Sequence, residues 1–291
     1  MSSVKKDSLL KVFSFKAMGS PCKIHVYLSR QQELHVAQAA IQLVHQLEAK
    51  YSRYQSTSIL SKMNKDGETT GLDNETIALL NYADIAFHNS DGLFDITTGV
   101  LRKAWNFKSQ SIPTHELIES LMPYIGWQKI IREGASIIIP KGMQIDFGGI
   151  VKEYAADAVA SYFLAHNVCH GLVDLGGDIR AIGPHPSGKP WQVGIRNPCT
   201  PKAAIAKIEL SSGGVATSGN YERFISVNGH RYGHVLNPLT GWPVSGVSSV
   251  SVHADTCIVA GTASTIGLLK GPSEGKHWLN DLGVEYVLQE E

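Results

Sequence analysis

An α+β fold is what this sequence predicts, on three observations. Segments of period-two alternation exchange with segments of helical spacing along the whole chain. Glycine pairs punctuate that exchange at Gly148-Gly149 and Gly176-Gly177, each preceded by Asp and one apolar residue. No linker, low-complexity stretch or solenoid period divides the 291 residues, so one interlaced domain over 1–291 is expected.

Composition narrows the class. Hydrophobic residues make up 43% and charged residues 18%, enough for a sizeable core in an ordinary globular chain. Lys plus Arg and Asp plus Glu each number 26, and their scatter leaves no basic footprint, so a nucleic-acid partner is not expected. The first twenty residues carry Lys5, Lys6, Lys11 and Lys16 without the apolar core of a signal peptide, and no segment approaches the roughly 18 apolar residues of a membrane span. A cytoplasmic protein with no membrane insertion is therefore expected. Cys22, Cys169, Cys199 and Cys257 lie far apart with no C-x-x-C pair, which predicts buried free thiols.

The elements follow in order. Residues 12–28 alternate around Met18-Gly19-Ser20-Pro21 and predict a strand pair or a strand broken at a turn. Leu34, Ala37, Ile41, Val44, Leu47 and Tyr51 recur every three to four residues, the buried stripe of a surface helix. The polar run from Ser56 to Ser61 predicts loop. Asp73 is a good N-cap for a helix carrying Ile77, Leu80, Ala83 and Phe87, which breaks at Ser90-Asp91-Gly92. Gly92 to Gly99 sets one carboxylate among hydroxyls and predicts a loop outside the core. Ile137 to Ile139 predict extended chain, and Ala155, Ala156, Ala158, Val159, Tyr162, Phe163 and Ala165 an amphipathic helix. With the second glycine pair after Val173, this stretch predicts a strand-helix-strand unit with both glycine turns at one end. Asn228-Gly229 marks a type I′ hairpin between Arg223 and Leu236. A last helix rich in small residues runs from Asp255 to Lys270 and stops at Gly271-Pro272.

The chemistry concentrates at Ile145-Asp146-Phe147-Gly148-Gly149-Ile150-Val151-Lys152-Glu153-Tyr154. Adjacent glycines where extended chain becomes helix let the backbone approach a ligand and aim free N–H groups at it, which suits phosphate. Repetition of Asp-apolar-Gly-Gly, together with a helix of small side chains, suits a diphosphate ligand with a bound cation. Competing templates fail: no G-x-G-x-x-G, Walker loop or H-E-x-x-H is present. Ser218-Gly219-Asn220 faintly matches the S-x-N element of penicillin-binding enzymes, but only Leu239-Thr240-Gly241 stands where K-T-G would be needed.

Seven ordered segments resemble the motifs of the ApbE family of FAD:protein FMN transferases. They are Met18-Gly19-Ser20, Tyr54 before Ser58-Ile59-Leu60-Ser61, Gly92 to Thr97, Asp146 to Lys152, Asp174 to Asp178, Ala216 to Gly219, and Tyr232 to Gly241. The resemblance implies two interlocked α/β lobes with mixed sheets around a ligand cleft. It implies transfer of FMN from FAD to a Thr or Ser hydroxyl of an acceptor flavoprotein, assisted by Mg²⁺, with AMP released. FAD contacts are implied at Met18, Tyr54, Leu93, Phe94, Asp95, Asp146, Lys152 and Val235. His234 is the expected general base, an imidazole titrating near neutrality, and Asp174 or Asp178 could orient the nucleophile.

One departure bears on the metal. The family's Ala-Asp-x-x-x-Thr reads Ala260-Gly261-Thr262-Ala263-Ser264-Thr265 here, so the carboxylate position is a glycine. The remaining donors are the Gly149 carbonyl and the Ser264 and Thr265 hydroxyls, and Mg²⁺ binding is expected to be weakened. Asp255, six residues earlier on the expected helix, is a poor replacement. Restoring the acid by Gly261→Asp is expected to be sterically tolerated and to raise Mg²⁺ affinity and transfer rate. Asn220 likewise replaces the family's Asp. Two other outcomes stay open: a protein that binds FAD without transferring FMN, and an FAD pyrophosphatase releasing FMN and AMP.

Overall fold

The structure is a computed structural model that describes residues 8–29, 33–109, 111–197, 200, 203–221 and 223–291, without the side chains of Glu33 and Leu34. Cys199 and the Leu34 side chain therefore lie outside the described residues.

Two strands, β1 (Leu9–Ala17) and β2 (Ser20–Leu28), form the expected hairpin, with Met18 and Gly19 both at positive φ in its turn. Helix α1 (Glu33–Tyr51) buries Ala37, Val44, Leu47 and Tyr51, the stripe the spacing predicts. Helix α2 (Ile59–Asp66) begins inside the run expected to be loop, because the Ser58 hydroxyl accepts from Ser61 N and starts the helix there. A short strand, β3 (Glu68–Thr69), leads to α3 (Asn74–Asn89), which the Asp73 carboxylate caps at Thr76 N.

The following segment corrects the sequence reading. Phe94, Asp95, Ile96 and Thr97 are all buried, and Ile96–Lys103 is a 3-10 helix rather than a surface loop. Its apolar residues Val100 and Leu101 join Trp105, Ile118, Leu121, Ile125 and Ile225 in a small separate core. Helix α4 (His115–Leu121) and strands β4 (Ile131–Glu133) and β5 (Ser136–Ile138) follow, the latter pairing with β3 and β4 in a three-stranded sheet.

Helix α5 (Val151–Ala165) precedes β6 (Gly171–Leu175) and β7 (Asp178–Gly183). Next come β8 (Trp191–Arg196), β9 (Ala204–Leu210), β10 (Gly214–Gly219), β11 (Phe224–Val227), β12 (His230–Gly233) and β13 (Val247–Ala254). Helix α6 (Cys257–Asp281) and β14 (Glu285–Glu290) complete the chain. Seven strands pair antiparallel in the order β1-β2-β6-β7-β10-β13-β14. The α+β class holds, but the expected strand-helix-strand unit does not: β5 and β6 lie in different sheets, and Gly176-Gly177 is the turn of the β6–β7 hairpin.

Adjacent residues of β10 reach opposite faces of the large sheet, as a strand requires. Ala216 enters the main core with α1, α5 and α6, while Val215 packs with the β8–β9 ribbon residues Val193, Ile195, Ile208 and Leu210. The Asn228-Gly229 hairpin forms with both residues at positive φ, but its second strand ends at Gly233, which leaves His234 and Leu236 of the expected arm beyond the strand. Helix α6 departs from expectation at both ends. Thr256 caps it, which leaves Asp255 outside the helix, and only Gly271, at φ 80°, interrupts it before it resumes from Pro272 to Asp281. A proline at the start of a helical segment loses no hydrogen bond, so Gly-Pro here marks a break rather than an end. Cys22 and Cys257 are buried, whereas Cys169 is exposed, against expectation. No helix among the described residues is long and apolar enough to cross a membrane.

Candidate active site

The β1–β2 turn, both glycine turns, the entry to the 3-10 helix, the end of β10 and the loop after β12 open onto one cavity of about 940 Å³. That lies at the upper end of the range of about 300–1,000 Å³ common for small-molecule sites. Met18, Tyr54, Leu93, Phe94, Asp95, Asp146, Gly149, Lys152, Asp174, Asp178, His234, Val235 and Thr265 all line it. Ser264 does not: it is fully buried, its hydroxyl donating to the Gly261 carbonyl and bonding Ser218 Oγ. It is not presented to a cation in the cavity.

At the first glycine turn the backbone holds Asp146 in place. Asp146 N donates to Ile96 O, and its Oδ1 accepts from Gly148 N at 3.0 Å. Its Oδ2 takes a 2.6 Å bond from Arg53 and lies 3.4 Å from Arg102 Nε. A carboxylate at the end of an apolar run needs such partners when it leaves water. Ile150 N and Val151 N bond to Phe147 O and Tyr154 N to Ile150 O, so the Gly149 carbonyl has no backbone donor among the described residues.

At the second turn Asp174 Oδ1 accepts from Gly177 N at 2.8 Å, and both glycines sit at positive φ. A Cβ on Gly176 would come within 2.6 Å of Ser20 Cβ, so glycine is what lets this turn approach the β1–β2 turn. Asp178 is buried and pairs with Lys152 Nζ at 2.8 Å. Burial alone would lower the Lys152 pKa, but Asp178 and Glu153 outweigh it and hold the ammonium well above its ordinary value. Glu153 is buried as well, and burial reinforced by the Asp178 charge raises its carboxyl.

His234 differs from expectation. Burial, reinforced by Arg223 and Arg102, pushes its imidazole down to about 4 rather than near neutrality. Its Nδ1 is buried with no hydrogen-bond partner among the described residues. Asp95 differs too. Its Oδ1 accepts from Thr97 N and Oγ1 and its Oδ2 from Trp127 N, so this carboxylate caps the 3-10 helix and is not free to hold a ligand. Phe94 is 5% exposed and sits in the main core, whereas Tyr54 is 83% exposed at the cavity edge with the Arg53 guanidinium 5.5 Å from its ring.

Arg53, Arg102, Arg223 and Glu153 also line the cavity, four residues that no sequence motif marks as functional. The need of Asp146 for a cation was the one available signal for the first two. No cluster of three or more His, Cys, Asp or Glu side chains suited to a metal exists among the described residues. A hard cation would thus depend on backbone and hydroxyl oxygens as well as carboxylates. The undonated Gly149 carbonyl and the Thr265 hydroxyl, 2.8 Å from Ser218 Oγ, fit that donor chemistry.

Comparison with known proteins places this geometry. The model of the ApbE family matches residues 18–288. The FAD:protein FMN transferase of Treponema pallidum (strain Nichols) is 30% identical over 287 residues, which cover 87% of this chain and 79% of that protein. That of Chlamydia muridarum is 32% identical, covering 82% and 77%. The crystal structure of the ApbE protein from Thermotoga maritima superposes with a TM-score of 0.91 at 30% identity, over 97% of this chain and 94% of that one. The apo flavinyl transferase ApbE of Pseudomonas stutzeri gives 0.87 at 25% identity, over 100% and 96%.

Proposed function

This chain belongs to the ApbE family, and from that premise we propose that it is an FAD:protein FMN transferase. Its donor substrate is FAD and its acceptor a protein with a Thr or Ser hydroxyl. The hydroxyl oxygen bonds to the phosphorus on the riboflavin side of the FAD diphosphate. The bond from that phosphorus to the bridging oxygen breaks, AMP leaves with the bridging oxygen, and the hydroxyl proton passes to a base.

The observation that carries this reading is the convergence of both Asp-apolar-Gly-Gly turns, Lys152 and His234 on one cavity. Lys152, Arg102 and Arg223 give that cavity the positive charge a diphosphate calls for, and acids beside them keep it from being uniformly basic. Tyr54 presents an exposed ring for a heteroaromatic face, and Met18, in the β1–β2 turn, lines the same cavity. His234 is the base: its depressed pKa keeps it unprotonated at neutral pH, and a bound diphosphate offsets the arginine field that weakens it. Asp174 and Asp178 are left to orient the acceptor hydroxyl.

Mg²⁺, when bound, would neutralise charge developing on the phosphate oxygens. The Gly149 carbonyl and the Thr265 hydroxyl would hold it. Purified protein incubated with FAD, Mg²⁺ and a candidate acceptor tests the reading. The acceptor should gain the mass of FMN less one water. An acceptor that stays unmodified while FAD is cleaved to FMN and AMP identifies a pyrophosphatase, and intact FAD with no modified acceptor a binding protein.

A further inference from the structure

Position 261 points at another side chain. A Cβ built on Gly261 of α6 would lie 2.5 Å from Glu153 Cγ and 3.1 Å from both Cδ and Oε1 of that residue. The Glu153 carboxylate, from α5, therefore occupies the volume into which a side chain at 261 would project. The register is fixed by Asp157, whose two oxygens accept from Cys257 N and Ile258 N at 2.9 Å each. Four residues before Asp157 stands Glu153, and four after Cys257 stands Gly261, so the two helices meet in antiparallel register with these residues face to face.

Glu153 is only 8% exposed, yet it lines the cavity; its Oε2 receives no N–H donor among the described residues, and its carboxyl lies within hydrogen-bonding reach of the Asp178 carboxyl, so two buried acids face one another there. A buried carboxylate oxygen without a donor is costly and calls for a proton or a cation. One turn before Glu153 lies the Gly149 carbonyl, and one turn after Gly261 lies Thr265, both on the same cavity. The neighbouring charges are Asp178, Lys152 and Asp157, with Lys152 paired to Asp178. Carbonyl, carboxylate and hydroxyl oxygens are the donor types that a hard divalent cation takes.

We propose that Glu153, reaching across from the facing helix, supplies the metal carboxylate that position 261 lacks. This rests on the flavin-transferase reading for the identity of the cation. It also corrects the expectation that Gly261→Asp alone is tolerated: the new side chain meets Glu153 and sets a second acid against a buried one.

Binding of Mn²⁺ alone, followed by its free-ion electron paramagnetic resonance signal, tests the proposal without turnover. A protein that fails to transfer FMN but binds Mn²⁺ through Glu153 upholds this assignment while sinking the transferase reading. Glu153→Gln should weaken Mn²⁺ by about tenfold or more, with metal-free FAD affinity and thermal stability retained. Gly261→Asp should bring no gain. The exchange variant E153G/G261D should recover the affinity that Glu153→Gln loses. If that variant does not fold, Glu153→Asp, which retracts the acid by one methylene, must show a smaller loss than Glu153→Gln. Unchanged or tighter Mn²⁺ binding by Glu153→Gln overturns the proposal and makes the side chain a protonated plug, as does a folded exchange variant no better than Glu153→Gln.

Discussion

Replacing His234 with Gln should change how stability depends on pH. The native imidazole is held down to about 4, by burial first and then by Arg223 and Arg102, against 6.5 for the ordinary group. Between those values the unfolded chain binds a proton that the native protein refuses. Stability is therefore complete above about pH 6.5 and is lost as pH falls toward 4. At roughly 1.4 kcal/mol for each tenfold change, the gap amounts to about 3.5 kcal/mol, of which about 2.5 is lost by pH 4.5. Glu153, Asp95 and Asp157 have raised values and act in the opposite sense, stabilising below their native pKa, but they are present in both proteins and cancel in the difference. Urea unfolding of wild type and His234→Gln at about pH 7.5 and about pH 4.5 reads that difference. The variant should gain on the wild type by about 2–3 kcal/mol upon acidification. Parallel stability profiles would show that the imidazole is not held neutral, and the reasoning about its environment would fail.

Other outcomes follow from the same geometry. His234→Ala should lower transfer by about a hundredfold while FAD affinity by calorimetry stays nearly unchanged; loss of both in step would mark a structural histidine. Asp146→Ala releases Arg53 and Arg102 at the cavity, and FAD affinity should fall about tenfold; a rise instead would mean that the carboxylate merely screens the two guanidinium groups. Asp95→Ala removes the acceptor of Thr97 N and Trp127 N and should cost about 1–3 kcal/mol of stability with FAD affinity intact. Tyr54→Ala, on an exposed ring, should do the reverse, and a Tyr54→Ala protein that melts early but binds FAD normally would contradict the division of roles.

Local signals in the chain carried much of the fold. Asp73 as a cap, Asn228-Gly229 as a hairpin turn and the stripe on α1 each depend on neighbours within one turn or one hairpin, and each forms as read. The second glycine pair shows where such reading stops. Asp-apolar-Gly-Gly looks the same before a helix and inside a hairpin, and only the positive φ of Gly176 and Gly177 separates the cases. Burial was also hidden at Phe94 to Thr97, because the hydroxyls that suggest a loop satisfy Asp95 internally. In the site, thirteen of the fourteen residues expected to act line one cavity, Ser264 being the exception. Arg53, Arg102 and Glu153 escaped notice because a charged residue on a helix or loop reads as solvated until long-range packing encloses it. Glu153 follows Lys152 in the sequence like a helix-start charge, and only the approach of α6 shows what it faces.

The claim of FMN transfer is tested most directly by mass spectrometry of a Thr- or Ser-bearing acceptor after incubation with FAD, Mg²⁺ and this protein. The account predicts one FMN, less a water, on a single hydroxyl, with one AMP released for each acceptor modified. AMP and free FMN in equal amounts with the acceptor unmodified, or FAD recovered intact, would contradict it.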